Sequence, residues 1–424
     1  MPCAAASADA LVTPGITVCT TTHPGRAASA STMRSVLSYS DGSPQTKKPT
    51  TGTRPSGAGN GAMAAAITLA STPLAGRLAR ALGAVDQPSG RRIHTRATPR
   101  LGGLAIALGA CVPMLWFLPL DHDARGLLIG AVLISALGAV DDACGLPPLE
   151  KLAGQVACAA VPVAGGLTID HITVPLVGVG NLGSLQYPLT VIWFVAIVNI
   201  INFIDGMDGL AAGVTGIGAV TLAIIAASLN RPEAAVAGAA IAGGCAAFLV
   251  FNFHPASIFM GDAGSMFLGF MTAGISVGGV MKTSATVAVV IPLLVLAIPI
   301  LDTSFVVLKR IKHGMPVYAA DRSHFHHRFF TIGWGQRKTV LALYAWCVLM
   351  GLVAIALRFV PYRDPDGGVR WLGTLTLAGA GLLAVLASVY MVYVLEILKW
   401  RSTPVVTLVR QSRADRARRE VIER

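Results

Sequence analysis

Charge is scarce in this chain: Asp, Glu, Lys and Arg make up 13% of its 424 residues, against 54% hydrophobic. That leaves too little polar surface to solvate a globule of this size, which excludes a water-soluble enzyme or binding domain and makes the bilayer the solvent. Cysteine pairing signals are also missing. The cysteines at 3, 19, 111, 144, 158, 245 and 347 show no CxxC spacing and several fall within apolar runs, so neither a disulfide framework nor a zinc site is indicated. The apolar runs lack the alternating polarity of a membrane β-barrel.

What the chain has instead is long continuous apolar stretches, such as Leu101 to Leu120, Leu189 to Ile204 and Leu372 to Leu395. Each approaches the roughly 20 residues a helix needs to cross about 30 Å of hydrocarbon. The pattern predicts an all-α integral membrane protein with about eleven transmembrane helices, near 61–83, 101–120, 126–140, 151–167, 189–204, 209–229, 234–251, 263–281, 284–307, 339–358 and 371–397. Residues 1–60, rich in Ser, Thr, Pro, Gly and Ala, are expected to be disordered. Residues 61–400 form the membrane domain and 401–424 a basic cytoplasmic tail.

The net charge of +12 suits cytoplasmic loops of a membrane protein rather than nucleic-acid binding. Arg91, Arg92, Arg96 and Arg100 follow the first helix. Lys309, Arg310, Lys312, Arg322, Arg328, Arg337 and Lys338 follow the ninth, and the tail after Trp400 is basic. All fall on one side, whereas the opposite loops carry mainly Arg125, Arg231, Lys282, Arg358, Arg363 and Arg370. The expected topology therefore has the N-terminus outside and the C-terminus cytoplasmic. A polar N-terminal tail without an apolar leader fits an outside start badly, which points to translation from Met63.

Four polar clusters fall at the cytoplasmic helix ends of this topology, where buried carboxylates are costly and usually functional. Asp141 and Asp142 follow the third helix and Lys151 opens the fourth; a lone pair of acids there is ordinarily a solvated helix end, but here one acid relieved by a cation, with Lys151 gathering phosphate, is the functional reading. In NIINFIDGMDGLAAG, Asn199, Asn202, Asp205 and Asp208 recur every three residues where apolar residues are expected, more than a turn requires. In FNFHPASIFMGDAGSMFLG, Asp262 and Ser265 flank a helix start that offers backbone N–H groups to phosphate or, more ordinarily, a simple cap, with Asp262 able to hold Mg²⁺. DRSHFHHRFF packs Asp321, Arg322, His324, His326, His327 and Arg328 into one loop, and its Arg-His mixture suits an anionic phosphate better than a metal. The GxGxxG match Gly178 to Gly183 opens no helix of a βαβ unit and reads as a hairpin turn, and Gly209 with Gly213 reads as a helix-packing GxxxG.

Taken in order with DQPSGRRIHTRATPRLGG, the clusters resemble the bacterial polyprenyl-phosphate N-acetylhexosamine-1-phosphate transferase family over about residues 85–335. The resemblance implies a cytoplasmic-face active site at the plasma (inner) membrane and transfer of a sugar phosphate from a UDP-sugar to a polyprenyl phosphate with release of UMP. Mg²⁺ would be the cofactor, with Mn²⁺ as a substitute, and the enzyme could be a homodimer. By motif, Asp262 is the metal ligand and Asp141 and Asp142 serve the lipid phosphate. Asn202, Asp205, Asp208, Asn252 and Phe259 are expected on the nucleotide side, Lys151, His324, His326 and His327 around the phosphates, and Asn199, Arg322 and Arg328 among the substrate-binding residues, with Asp141, Asp142, Asp205, Asp208 and the three histidines counted as catalytic. The chemistry is left open between an acid such as Asp141 deprotonating the acceptor and an Asp attacking first.

HFHHR followed by GWGQRK resembles the N-acetylglucosamine-1-phosphate branch; three consecutive histidines would mark the branch that uses UDP-N-acetylmuramoyl-pentapeptide, which is the runner-up. A secondary transporter also places polar residues on broken helices, but it binds at mid-membrane and often shows internal repeats, which these motifs lack. The intact mass of the product of the natural gene is expected to correspond to a start at Met63; a mass that includes residues 1–62 removes that expectation.

Overall fold

The computed structural model describes residues 57–86, 97–119, 121–174, 178–282, 289–312, 335–362 and 368–394. These form a helical bundle: α1 Gly57–Ala81, α2 Gly103–Phe117, α3 His122–Cys144, α4 Pro148–Ala164, α5 Gln186–Ile204, α6 Leu210–Ser228, α7 Pro232–Asn252, α8 Gly261–Ser276, α9 Val290–Val295, α10 Ala297–Lys312, α11 Gln336–Phe359 and α12 Trp371–Val394. A π-helical turn, Val277–Met281, extends α8. Among the described residues, eight helices are long and apolar enough to cross a membrane, and the shorter apolar α2 joins them. The chain is therefore a mostly helical, multi-pass membrane protein.

Helix boundaries follow local chemistry. Asp121 caps α3 by accepting from the Ala124 N–H at 2.9 Å, and Gly145, at φ 68°, ends it while its N–H bonds the Asp141 carbonyl. The helix expected over 284–307 is in fact two, α9 and α10, interrupted at Leu296. Pro299 stands in the first turn of α10, where its missing N–H has no helical partner, but Pro73, Pro113 and Pro162 lie inside α1, α2 and α4 without dividing them, so proline alone does not account for the break. The first helix begins at Gly57, a turn earlier than expected.

Two short antiparallel ribbons depart from the all-α expectation. Val85–Asp86 (β1) pairs with Thr98–Pro99 (β2), in the register Val85 with Pro99 and Asp86 with Thr98. His171–Val174 (β3) pairs with Gly178–Asn181 (β4), so the GxGxxG segment forms the returning strand of a hairpin and cradles no dinucleotide.

The bundle is organised around α8, which packs against α2, α3, α5, α6 and α7 and has every residue from Ala263 to Ser276 buried. Its small residues Ala263, Gly264, Gly269, Ala273 and Gly274 admit neighbouring backbones closely, which matters where lipid removes the hydrophobic drive for helices to associate. Interhelical hydrogen bonds add direction: Ser135 Oγ donates to the Ala263 carbonyl at 3.2 Å and Trp193 Nε1 to Ser276 Oγ at 3.0 Å. The expected GxxxG packing is present, since a Cβ on Gly213 would lie 2.0 Å from the Tyr344 ring of α11, whose hydroxyl bonds the Gly209 carbonyl.

Candidate active site

The ends of α3, α5 and α7 and the starts of α4 and α8 meet at one place, and there the structure gathers most of the predicted polar residues. Lys151, in the first turn of α4, lies between two carboxylates: its Nζ is 2.8 Å from Asp141 Oδ2 of α3 and bonds Asp262 Oδ2 of α8. Asn202 of α5 completes the arrangement. Its Nδ2 donates to Asp262 Oδ1 and to Ser265 Oγ, both at 2.8 Å, while its Oδ1 accepts from Lys151 at 3.5 Å. Asp141 Oδ1 accepts the Leu146 N–H at 2.6 Å, which fixes that carboxyl from both sides.

Asp142 points the other way, into the N-terminus of α8, and its Oδ2 accepts the Ala263 N–H at 3.0 Å. A carboxylate at a helix N-terminus is favoured by the exposed N–H groups and the macrodipole. Asp142 thus caps a helix 121 residues away in sequence, and the Ala263 N–H that the motif offered to phosphate is already engaged. The approach depends on Gly261, at φ 71°, where a Cβ would stand 2.3 Å from the Arg100 carbonyl and 2.4 Å from Asp142 Oδ2. Backbone bonds complete this corner: Gly102 and Gly103 donate to the carbonyls of Phe259 and Met260, and Phe259 donates to that of Pro99.

Asp205, just beyond α5, belongs to the same cluster but is used differently. No hydrogen bond from a described residue reaches its carboxyl, and enclosure pushes its pKa well above the usual carboxylate range, helped by the nearby Asp262, Asp142 and Asp208 and opposed by Arg100. Arg100, paired with Asp86 at 2.8 Å, is a cation of the site that the motif reading passed over. Asp208 is 1% exposed and accepts from His254 Nδ1 at 2.8 Å and the Ala256 N–H at 3.1 Å. Asn252 bridges two loops, accepting the Gly209 N–H at 3.0 Å and donating to the Ile258 carbonyl at 2.9 Å.

Asn199, expected among the substrate-binding residues, stands one turn deeper and pairs with Gln155 of α4, Nδ2 to Oε1 at 2.6 Å. Gln155 and His254 were not singled out in the sequence. The signal for Gln155 was its place four residues after Lys151, on the same face of an otherwise apolar helix. Arg322, His324, His326, His327 and Arg328 lie outside the described residues.

The donor set suits a hard cation held lightly. Mg²⁺ is ordinarily bound by one or two carboxylates, substrate phosphates and water. Among the described residues no group of three or more ligating side chains forms an all-protein cage, but Asp141, Asp142, Asp205 and Asp262 crowd one corner against only Lys151 and Arg100. Such an excess of negative charge is relieved by a dication.

Gly261→Ala is expected to cost about 2–4 kcal/mol, from the left-handed backbone plus overlap with two fixed oxygens. Thermal unfolding in detergent measures it, and a melting temperature equal to wild type would show that α8 does not need this approach.

Comparison with known proteins places this geometry. The sequence model of glycosyl transferase family 4 matches residues 124–280, which include the C-terminal end of α3, both ends of α4, α5 and α7 and the start of α8. The chain is 40% identical over 289 residues to a probable undecaprenyl-phosphate N-acetylglucosaminyl 1-phosphate transferase of Bacillus subtilis, covering 68% of this chain and 81% of that protein. It is 36% identical over 351 residues to the decaprenyl-phosphate N-acetylglucosaminephosphotransferase of Mycobacterium leprae, covering 75% and 87%. A phospho-N-acetylmuramoyl-pentapeptide-transferase of Moorella thermoacetica is 34% identical over 313 residues, covering 70% and 96%. The chain belongs to glycosyl transferase family 4, among the polyprenyl-phosphate N-acetylhexosamine-1-phosphate transferases that its motifs resemble.

Proposed function

We propose that the protein transfers N-acetylglucosamine 1-phosphate from UDP-N-acetylglucosamine to a polyprenyl phosphate, giving the polyprenyl-diphospho-sugar and UMP, as a first step of cell-envelope glycan synthesis. The observation that carries this reading is Lys151 held between Asp141 and Asp262 at one end of a membrane bundle, a site for bringing two phosphates together. The donor choice is supported by relatives named for N-acetylglucosamine at 35–40% identity, against 29–34% for those named for the muramoyl-pentapeptide. It also fits the HFHHR sequence.

In the reaction an oxygen of the lipid phosphate attacks the phosphorus that carries the sugar. The bond from that phosphorus to the bridging oxygen breaks, and UMP leaves with the oxygen. Two anions must meet, so the site has to supply positive charge and alignment. Lys151 supplies a charge that can pass from the aspartates to phosphate oxygens, and Asn202 and Ser265 hold the Asp262 carboxyl in place. Asp205, whose carboxyl receives no hydrogen bond from a described residue and holds a proton more tightly than usual, is the proposed group to take a proton from the acceptor. Mg²⁺ would be held by Asp262 together with the donor diphosphate and would neutralise charge there.

The loops rich in Arg and Lys support a site at the cytoplasmic face of the plasma membrane. Eleven crossings with the N-terminus outside remain the reading, with α9 and α10 as one interrupted crossing; the eight long apolar helices and α2 supply nine of them.

Purified protein in detergent, given undecaprenyl phosphate and Mg²⁺, is expected to release UMP with UDP-N-acetylglucosamine and not with UDP-N-acetylmuramoyl-pentapeptide. Release with the second donor alone overturns the sugar assignment, and silence with both overturns the reaction. Asp262→Asn abolishes turnover while the protein stays folded, and Lys151→Met lowers kcat/KM by about 10²- to 10³-fold; wild-type-like rates remove either residue from its role.

Binding of Mg²⁺ is also expected to expel protons. Asp205, raised well above its usual range, keeps a proton at pH values below that raised pKa, and an arriving dication lowers it, so affinity for Mg²⁺ rises with pH. Titration calorimetry in buffers of different ionisation enthalpy reads the protons directly, and binding without proton release would refute the coupling.

A further inference from the structure

Asp208 was expected to act on substrate, yet its side chain is 1% exposed and its Oδ2 already serves two donors, His254 Nδ1 and the Ala256 N–H. His254 is the exposed member of the pair, with 36% of its side chain accessible. Because a carboxylate only accepts, Nδ1 carries the hydrogen of this bond, and Nε2 on the far edge of the ring is left to bond elsewhere. That nitrogen accepts from an N–H or O–H when the ring is neutral and donates to a phosphate when it is charged.

The loop that carries the ring is held from several directions. Asn252 ties the turn that carries Asp208 to the far end of the His254 loop, through the Gly209 N–H and the Ile258 carbonyl. The Ser257 N–H bonds the Phe251 carbonyl at 2.8 Å, and Arg337 Nε of α11 bonds the His254 carbonyl at 3.0 Å. Asp208 also stands close enough to Asp205 to repel it, which sets the pair at the margin of the carboxylate cluster.

We propose that His254 is a donor-binding residue, and that Asp208 is a positioning residue that orients the imidazole so that Nε2 meets a polar group of the nucleotide sugar. The proposal rests on the transferase reading above. The lipid acceptor is the poorer candidate for this contact, because it offers one phosphate and an apolar chain. The apolar side chains exposed beside Lys151 and Asp141, namely Leu149, Leu152 and Val156 of α4 and Val140 of α3, supply the flank such a chain needs. His254 lies instead in a loop braced by polar contacts.

The test compares KM for UDP-N-acetylglucosamine and for undecaprenyl phosphate in the full chain. His254→Asn keeps an N–H where Nδ1 stood and removes the outer edge of the ring. It is expected to raise the donor KM about tenfold and to leave the lipid KM within about twofold, at an unchanged melting temperature. Asp208→Asn shifts the donor KM in the same direction, and the double variant is no worse than the poorer single one, because both act through one contact. A wild-type donor KM in His254→Asn, a shift confined to the lipid KM, or additive effects overturns the proposal. Wild-type protein that releases no UMP from any nucleotide sugar defeats the transferase reading itself, and does so before any variant is made.

Discussion

A single ammonium group holds the site together. Lys151 lies in the first turn of α4, where a cation opposes the helix macrodipole by about 0.3–1 kcal/mol. Asp141 and Asp262, brought by α3 and α8, outweigh that penalty, and Lys151 in turn separates two carboxyls that would otherwise repel in a poorly screened setting. Two consecutive helices, α3 and α4, are thereby pinned to α8, whose Asp262 lies 111 residues beyond Lys151. In the proposed reaction the same mutual dependence would make the assembly responsive, since phosphates that drew Lys151 away would leave two carboxylates in need of another cation.

Around this point the polar residues divide into those that face a ligand and those that hold the facing ones still. Asn202 and Ser265 orient Asp262, Asp142 closes the start of α8, Asn252 joins two loops, and the Gln155–Asn199 pair fixes the α4–α5 crossing one turn below Lys151. In a bilayer such amides and acids have no water to fall back on, so they satisfy one another. Dense polar motifs at membrane helix ends therefore contain supports as well as reactive groups.

This division sets what could be read in advance. The helices were legible because continuous apolar runs have one solution in lipid, and Asp141, Lys151, Asn202, Asp205 and Asp262 stood out as polar residues at the ends of such runs. That all of them meet also followed from topology alone. What Asp142 does was not legible, since its partner is a backbone N–H 121 residues away, and neither was the pairing of Asp208 with a histidine inside a neighbouring motif. The break between α9 and α10 was not legible, because hydropathy averages across it and Pro299 differs in no visible way from prolines that lie inside unbroken helices.

The burial of α8 has a mechanical consequence. Over the apolar window of Gly261–Met281, 94% is covered by other parts of the protein, against 6% for Trp371–Met391 of α12. Changes in bilayer thickness act on helices that touch lipid, by tilting or stretching them. The helix that carries Asp262 is a spindle inside a sleeve of other helices, so strain in the surrounding membrane reaches that carboxylate only after the sleeve has absorbed it.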